Sequence, residues 1–428
     1  MVAGARVAIT LAEPVVFLPG DDVYAATPAP DASNEHADAA SHAPPAQLRG
    51  SVELYLTRRT RIKDIVLTLF GVSRTDWPEG IGPGRLEQSE SISLMNLEAS
   101  VFREASGLPR PAGEGAVLDH GTRPHKKRLR GLLDFRGDDT AGFELSSGHY
   151  SYPFTWSLPR RLPPTLHADF GHIEYTLRAT VVRCGALATN LTAQTEVTLV
   201  QAPPAEAAVS VAPVVVERTC EDMLAYTLVV GGNSFPIDTH IPLTLRCVPI
   251  GKVRIMRIHV AIEETTEYYA NERRVVRHEL PRKWTLLRIV PSPGASLLPV
   301  TSDDPDALHK SEVWPFVEAA ASQSADPDDV RAAPMSASGP WELVMEPHVS
   351  LADLRRINIS SVHGNSNTAV QHTLRVVLRV ERTDLPGGSR IVDIVIAVPI
   401  ELTHSHTARQ WLALPTYESA HAAPPAFQ

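Results

Sequence analysis

Apolar and polar residues alternate with a period of two through most of this chain, which is the pattern of strands that bury one face. Val52, Leu54 and Leu56 alternate with Glu53, Tyr55 and Thr57, and Ile65, Leu67 and Leu69 continue the theme before Gly71. Ile173, Tyr175, Leu177, Ala179 and Val181 alternate with Glu174, Thr176, Arg178 and Thr180. The runs Leu243–Cys247, Ile258–Ile262 and Leu374–Val380 repeat the pattern. Successive strand residues point to opposite faces, so each run offers one face to a core and the other to water. That arrangement belongs to antiparallel sheets packed face to face. Helical spacing is nearly absent. Its best candidate lies within Leu86 to Ala105, where Leu94, Leu97 and Val101 fall at i, i+3 and i+7; a further strand pair accounts for this segment equally well. The 36 prolines also fit strands joined by turns better than helices.

The two halves resemble each other. VVFLPGDD followed by LRGSVELYLTRRTRIKDIVLTLFG has its counterpart in NSFPIDTH followed by IPLTLRCVPIGKVRIMRIHVAIEE. In both, an aromatic residue and a proline precede an acidic turn, then a strand, basic residues and a second alternating strand. Duplicated sandwiches are the expectation. The predicted organisation is all-β, with two tandem immunoglobulin-like β-sandwich domains at 1–202 and 205–404. Loop insertions are expected at 25–47, 106–127 and 290–340, and a flexible tail at 405–428.

Length and composition bound the function. A chain of 428 residues suits two domains rather than one. A net charge of −9 weighs against a dedicated nucleic-acid binder, whose phosphate contacts need a basic surface. Cys184, Cys220 and Cys247 form no CxxC pair, and three is no disulfide framework, so a reducing compartment fits best. Met1 to Thr10 lacks the pattern of a secretory leader. The longest apolar stretch, Ile391 to Leu402, is broken by Asp393, Pro399 and Glu401. The expectation is a cytoplasmic protein that is neither secreted nor membrane-spanning.

Motifs for catalysis are missing. There is no GxSxG and no HExxH. Gly231-Gly232-Asn233 reads as a hairpin turn rather than a phosphate cradle, since no helix follows. His404 and His406 read as an exposed tail pair, because a metal site needs three or four converging ligands. Cys184 and Cys247 lie in strand-like runs, where a buried inert thiol is the default. No catalytic residue, metal or cofactor is expected, and an enzyme on a β-sandwich is the remote alternative.

The stretch Gly148 to Val182, GHYSYPFTWSLPRRLPPTLHADFGHIEYTLRATVV, resembles the signature of the arrestin superfamily's N-terminal domain. Pro153-Phe154, Leu158-Pro159 and Leu162-Pro163-Pro164-Thr165 match it, as do Ile173, Tyr175, Leu177 and Ala179. The residues alone agree: Tyr152, Phe154 and Trp156 share a strand face, and the prolines forbid ladder bonds, so the segment crosses between sheets. LAYTLVVGGNSFPIDTHIPLTLRCVPIG and QHTLRVVLRV resemble the arrestin C-terminal domain. The resemblance is nearest to the fungal arrestin-related trafficking adaptors (alpha-arrestins). It implies an adaptor that links plasma-membrane transporters or receptors to a WW-domain HECT-type ubiquitin ligase, with peripheral membrane association through that cargo. The plasma membrane and endosomes are the implied sites of recruitment. An arrestin-fold sorting or signalling scaffold without a ligase is the alternative.

Leu414-Pro415-Thr416-Tyr417 has the Leu-Pro-x-Tyr form of peptides bound by such WW domains. Pro415 favours the extended polyproline II shape, so little entropy is lost on docking, and Tyr417 offers a ring and a hydroxyl to a second pocket. Pro424-Pro425-Ala426-Phe427 lacks that hydroxyl and reads as a weak second copy. Lys126 and Lys127 lie in the basic run Arg123 to Arg130. Three readings stand for that run: a ubiquitin acceptor, a contact to anionic lipid or acidic cargo, and a solvated loop, which is the default for charge runs.

Overall fold

The computed structural model describes residues 5–19, 45–81, 86–102, 142–185, 188–202, 212–300, 304, 306–323, 339–350, 357–384 and 388–408. Leu414 to Tyr417, Pro424 to Phe427, Lys126, Lys127, all of the 106–127 insertion and most of 25–47 lie outside these residues. The chain divides into two compact units. The first is Met1–Pro204 with Glu267–Arg277 and Ser361–Ala369; the second is Ala205–Thr266, His278–Ser360 and Val370–Gln428.

The first unit is built on strands β1 (Ala5–Leu11), β2 (Val16–Leu18), β3 (Gln47–Leu56), β4 (Thr60–Ile81), β5 (Leu86–Ser100) and β6 (Phe143–Leu145). It continues with β7 (Gly148–Ser157), β8 (Leu166–Ala168), β9 (Gly171–Arg183), β10 (Leu191–Glu196) and β11 (Leu199–Gln201). One sheet runs β1-β3-β7 and another β10-β9-β4-β5, with β6 on β4 and β8 on β9; β11 pairs β2 in parallel. The alternating residues face inward as the pattern predicts. Val52, Leu54 and Leu56 of β3, Ile65, Leu67 and Leu69 of β4, and Ile173 to Val181 at every second position of β9 are buried.

Residues 158–165 carry the chain from β7 in one sheet to β8 in the other, with Leu158, Leu162, Pro163 and Pro164 buried. Here the proline-rich signature acquires a physical cause. The Tyr175 hydroxyl donates to the Pro163 carbonyl at 2.7 Å, and Thr165 exchanges two bonds with Leu199: its N–H donates to the Leu199 carbonyl and its hydroxyl accepts the Leu199 N–H, each at 2.9 Å. Prolines cannot donate, so a tyrosine and a threonine anchor the crossing instead. Gly71 of β4 faces Tyr175 across the ladder, and a Cβ there would come within 2.5 Å of the ring.

The segment with helical spacing is strand β5. Gly71 pairs Met95 and Val72 pairs Ser93, so Leu94 is an extra residue, a bulge that shifts the phase of the alternation. The bulge converts a period of two into the spacings of three and four that imitate a helix; among the described residues of this segment only Val101 and Phe102, beyond the strand, are helical.

The second unit holds β12 (Val214–Cys220), β13 (Leu224–Val230), β14 (Ser234–Pro236), β15 (Leu243–Pro249), β16 (Val253–Ala270), β17 (Val275–His278) and β18 (Arg282–Ile289). A helix α1 (Trp314–Gln323) and strands β19 (Trp341–Met345), β20 (Thr368–Arg382) and β21 (Arg390–Thr403) follow; the end of β16, all of β17 but His278, and the start of β20 belong to the first unit. The sheets are β12-β13-β15-β19 and β14-β21-β20-β16-β17, with β18 on β16. Their inner faces make one core that includes Leu243, Leu245, Cys247, Ile258, Val260, Ile262, Leu374, Val376, Leu378 and Val380.

Two expectations need correcting. The 290–340 insertion, read as a loop, contains α1. Val313, Val317 and Ala320 are buried at i, i+4 and i+7, a stripe too short to stand out among the flanking Ser, Asp and Pro residues. The tail does not begin at Ser405: a 3-10 turn spans Ser405–Thr407, Thr407 is buried, and His404 and His406 are half-buried rather than exposed.

Candidate functional site

The turn between β3 and β4 places a run of arginines at one end of the first unit. β3 ends at Leu56, the Thr60 hydroxyl donates to the Arg58 carbonyl at 2.9 Å, and β4 begins at Thr60. β4 then pairs β9 with Ile62 opposite Arg183 and Asp64 opposite Val182, so Lys63 bulges out. The Cys184 N–H closes the ladder on the Arg61 carbonyl at 3.1 Å. This register brings Arg183 beside residues more than a hundred positions earlier. Its guanidinium is fixed by Thr189, which accepts from Nε at 2.6 Å and from Nη2 at 2.9 Å.

The result is a cavity of about 220 Å³ lined by Arg58, Arg59, Arg61 and Arg183 with Ala5, Thr60, Cys184, Ala188 and Leu191. No acidic residue is among these lining residues. Arg59 reaches Glu144 at 3.4 Å, an exposed pair of little energetic weight. Four guanidiniums around one opening, in a chain whose net charge is −9, suit a carboxylate or a phosphate monoester, which arginine engages through two parallel N–H bonds. Basic residues between the two strands are visible in the sequence, but nothing in the sequence gives them a role. The signal was RRTR at a strand-to-strand turn; Arg183 could join it only through the register. Cys184, expected buried within a strand, lies just past β9 and is half-buried at this cavity.

The second unit buries a different polar cluster. Glu264 of β16 and His372 of β20 have side chains 1% and 0% exposed, with the carboxylate Oε2 3.3 Å from His372 Nε2. The carboxylate also accepts the Asn358 N–H at 2.8 Å, the Asn358 amide at 3.0 Å and the Thr266 hydroxyl at 3.4 Å. His372 Nδ1 lies 2.8 Å from the Ser360 hydroxyl, which accepts the Leu402 N–H at 2.8 Å. Burial raises the Glu264 carboxyl, but the bonds from His372 and Asn358 outweigh it and hold the group below its ordinary value. Serine, histidine and glutamate in a row resemble a hydrolytic triad. Here the serine oxygen is occupied by a backbone N–H, so the row clamps β16, β20 and the end of β21 together.

Among the described residues no group of three or more His, Cys, Asp and Glu could hold a metal ion, and no helix is long and apolar enough to cross a membrane. The tail motif and the Lys126–Lys127 pair lie outside the described residues.

Residues 132–202 match the family model described as arrestin (or S-antigen), N-terminal domain. The chain is 27% identical over 431 residues to a putative arrestin-related trafficking adapter of Schizosaccharomyces pombe, an alignment covering 97% of this chain and 57% of the relative. A second such adapter of that yeast is 26% identical over 424 residues, covering 97% of this chain and 72% of its own length. Arrestin-related trafficking adapter 3 of Saccharomyces cerevisiae is 33% identical over 144 residues, 34% of this chain and 14% of that protein. The sandwich strands, the anchored proline crossing and these matches together make the chain similar to the arrestins in its N-terminal domain and, along most of its length, to the arrestin-related trafficking adapters of fungi.

Proposed function

We propose that the chain is a non-catalytic trafficking adaptor that joins cytosolic segments of plasma-membrane transporters or receptors to a WW-domain HECT-type ubiquitin ligase. The observation that carries this reading is the similarity along 97% of the chain to proteins named trafficking adapters, in a sequence that holds Leu414-Pro415-Thr416-Tyr417. Residues 1–202 and 205–408 act as the platform, and the segment that carries Leu414 to Tyr417 recruits the ligase. The arginine-lined cavity receives an acidic or phosphorylated side chain of the cargo. Recruitment from the cytoplasm to the plasma membrane and endosomes follows the cargo, and ubiquitylation drives its endocytosis. The energetic contribution is effective concentration: ligase and cargo held on one chain meet at a millimolar-like local level without any new contact between them.

The test is direct binding of the full chain to an isolated WW domain of such a ligase. Tyr417→Ala should weaken binding at least tenfold (about 1.4 kcal/mol). Unchanged affinity would favour a scaffold that recruits no ligase.

A further inference from the structure

His404 caps the 3-10 turn that follows β21. Its Nδ1 accepts the His406 backbone N–H at 3.2 Å and lies 3.1 Å from the His406 Nδ1, with the two rings stacked at 4.9 Å between centroids. A backbone N–H can only donate, so the His404 Nδ1 carries no proton and presents a lone pair. The His406 Nδ1 that meets the same lone pair therefore supplies an N–H. These two bonds select one protonation state: His404 neutral with its proton on Nε2, and His406 protonated at Nδ1. The rest of the turn hangs from the same residue. The Thr407 N–H and hydroxyl both donate to the His404 carbonyl, at 2.8 and 2.7 Å, and the hydroxyls of Thr403 and Thr407 meet at 2.7 Å under cover.

We propose that the His404–His406 pair is a proton-operated latch on the end of the last strand: neutral His404 holds the Ser405–Thr407 turn closed, and a proton on its Nδ1 opens it. That proton replaces an acceptor by a donor facing two other donors, so both bonds are lost at once. Among the described residues no acid bonds to His404. On its own turn His404 faces His406. On β21 the nearest carboxylate is Glu401, engaged with Ser234 and pushed up by burial. β14, which packs on the turn, brings Ser234, Phe235 and Pro236, none of them charged. Beyond β14, Asp238 lies 3.6 Å from His348, whose ring meets that of His240 in a tilted pair. Burial, and after it the charge of His406, lowers the His404 basicity below that of a free histidine.

The sign follows. A histidine whose folded value is depressed stabilises the closed turn above the free-histidine value, about pH 6.5, and loses that contribution as the pH falls through the lowered value. Leu414 lies six residues past Ala408. Opening therefore frees His404 to Thr407, roughly 14 Å of chain at full extension, ahead of the Leu-Pro-x-Tyr segment. That consequence rests on the ligase-recruitment reading, whereas the latch itself does not.

Amide hydrogen exchange on the full chain at pH 7.5 and 5.5, corrected for intrinsic rates, tests the latch. Protection of the Thr407 and Ala408 amides should fall at least tenfold at the lower pH while that of Val398 to Leu402 holds. His404→Asn keeps a side-chain oxygen for the cap without a titrating group, so its protection should be the same at both values. Equal protection in the wild type at the two pH values, or an equal loss in His404→Asn, overturns the proposal. The NMR titration of the His404 ring needs no variant: a midpoint below that of free histidine is expected, and one at or above it overturns the latch.

Discussion

Removing His372 leaves the Glu264 carboxylate in the core of the second unit without its imidazole partner. The side chains are 1% and 0% exposed, so water cannot replace the lost partner. Breaking a buried pair of this kind costs about 3–5 kcal/mol, because the remaining charge keeps its desolvation penalty. His372→Leu is expected to lose that amount. Part of the loss is recovered in the double variant with Glu264→Gln, which removes the charge and keeps an amide oxygen for one of the two Asn358 donors, which meet separate carboxylate oxygens at 2.8 and 3.0 Å. The cycle of single and double variants should give a coupling energy above about 1 kcal/mol. A chain of two units need not unfold in one step, so the readout is peptide-resolved hydrogen exchange in β16 and β20 under increasing urea. The pH dependence has a defined sign. Glu264 titrates below its ordinary value, so its contribution is present above the unfolded value near pH 4.3 and lost as pH falls through the folded one. The gap between wild type and Glu264→Gln should narrow in acid. A His372→Leu cost under about 1 kcal/mol, or strictly additive variants, would refute the clamp.

Tyr175→Phe removes the one described donor to the buried Pro163 carbonyl and should cost about 1–2 kcal/mol, read as a lower unfolding midpoint of the first unit. Gly71→Ala should destabilise the same unit further, since the added Cβ would press on the Tyr175 ring and Met95. Burial pushes the Cys247 thiol up to about 12, so alkylation at pH 8 should spare it in the folded chain and label it only on unfolding. Paired Arg58→Ala and Arg61→Ala substitutions should weaken an acidic or phosphorylated peptide roughly five- to tenfold, with a shallower salt dependence; equal affinity would remove the cavity from cargo binding.

Strands with unbroken alternation were legible residue by residue. Every second residue from Ile173 to Val181 is buried, because each faces a core that no other placement can fill. Legibility failed where one residue altered the phase or where partners were distant. The Leu94 bulge disguised β5 as a helix candidate. α1 showed three apolar residues in a polar insertion, below what periodicity can separate from a loop. The cavity needed Arg183 aligned with Ile62 across a ladder, and the Glu264 clamp needed β16, the 357–360 segment and β20 together. Neither grouping shares a sequence neighbourhood. The tail motif was readable because a docking peptide is contiguous, whereas a folded polar cluster is not.

The adaptor reading meets its most direct test in reconstituted ubiquitylation. A purified WW-domain HECT ligase, its conjugating machinery and an acidic cytosolic cargo segment are combined with the full chain, and ubiquitin on the cargo is measured. Wild type should raise cargo ubiquitylation well above the reaction without it, and the paired Leu414→Ala and Tyr417→Ala substitutions should return it to that background with the fold intact. Equal modification with and without those two side chains would contradict the account.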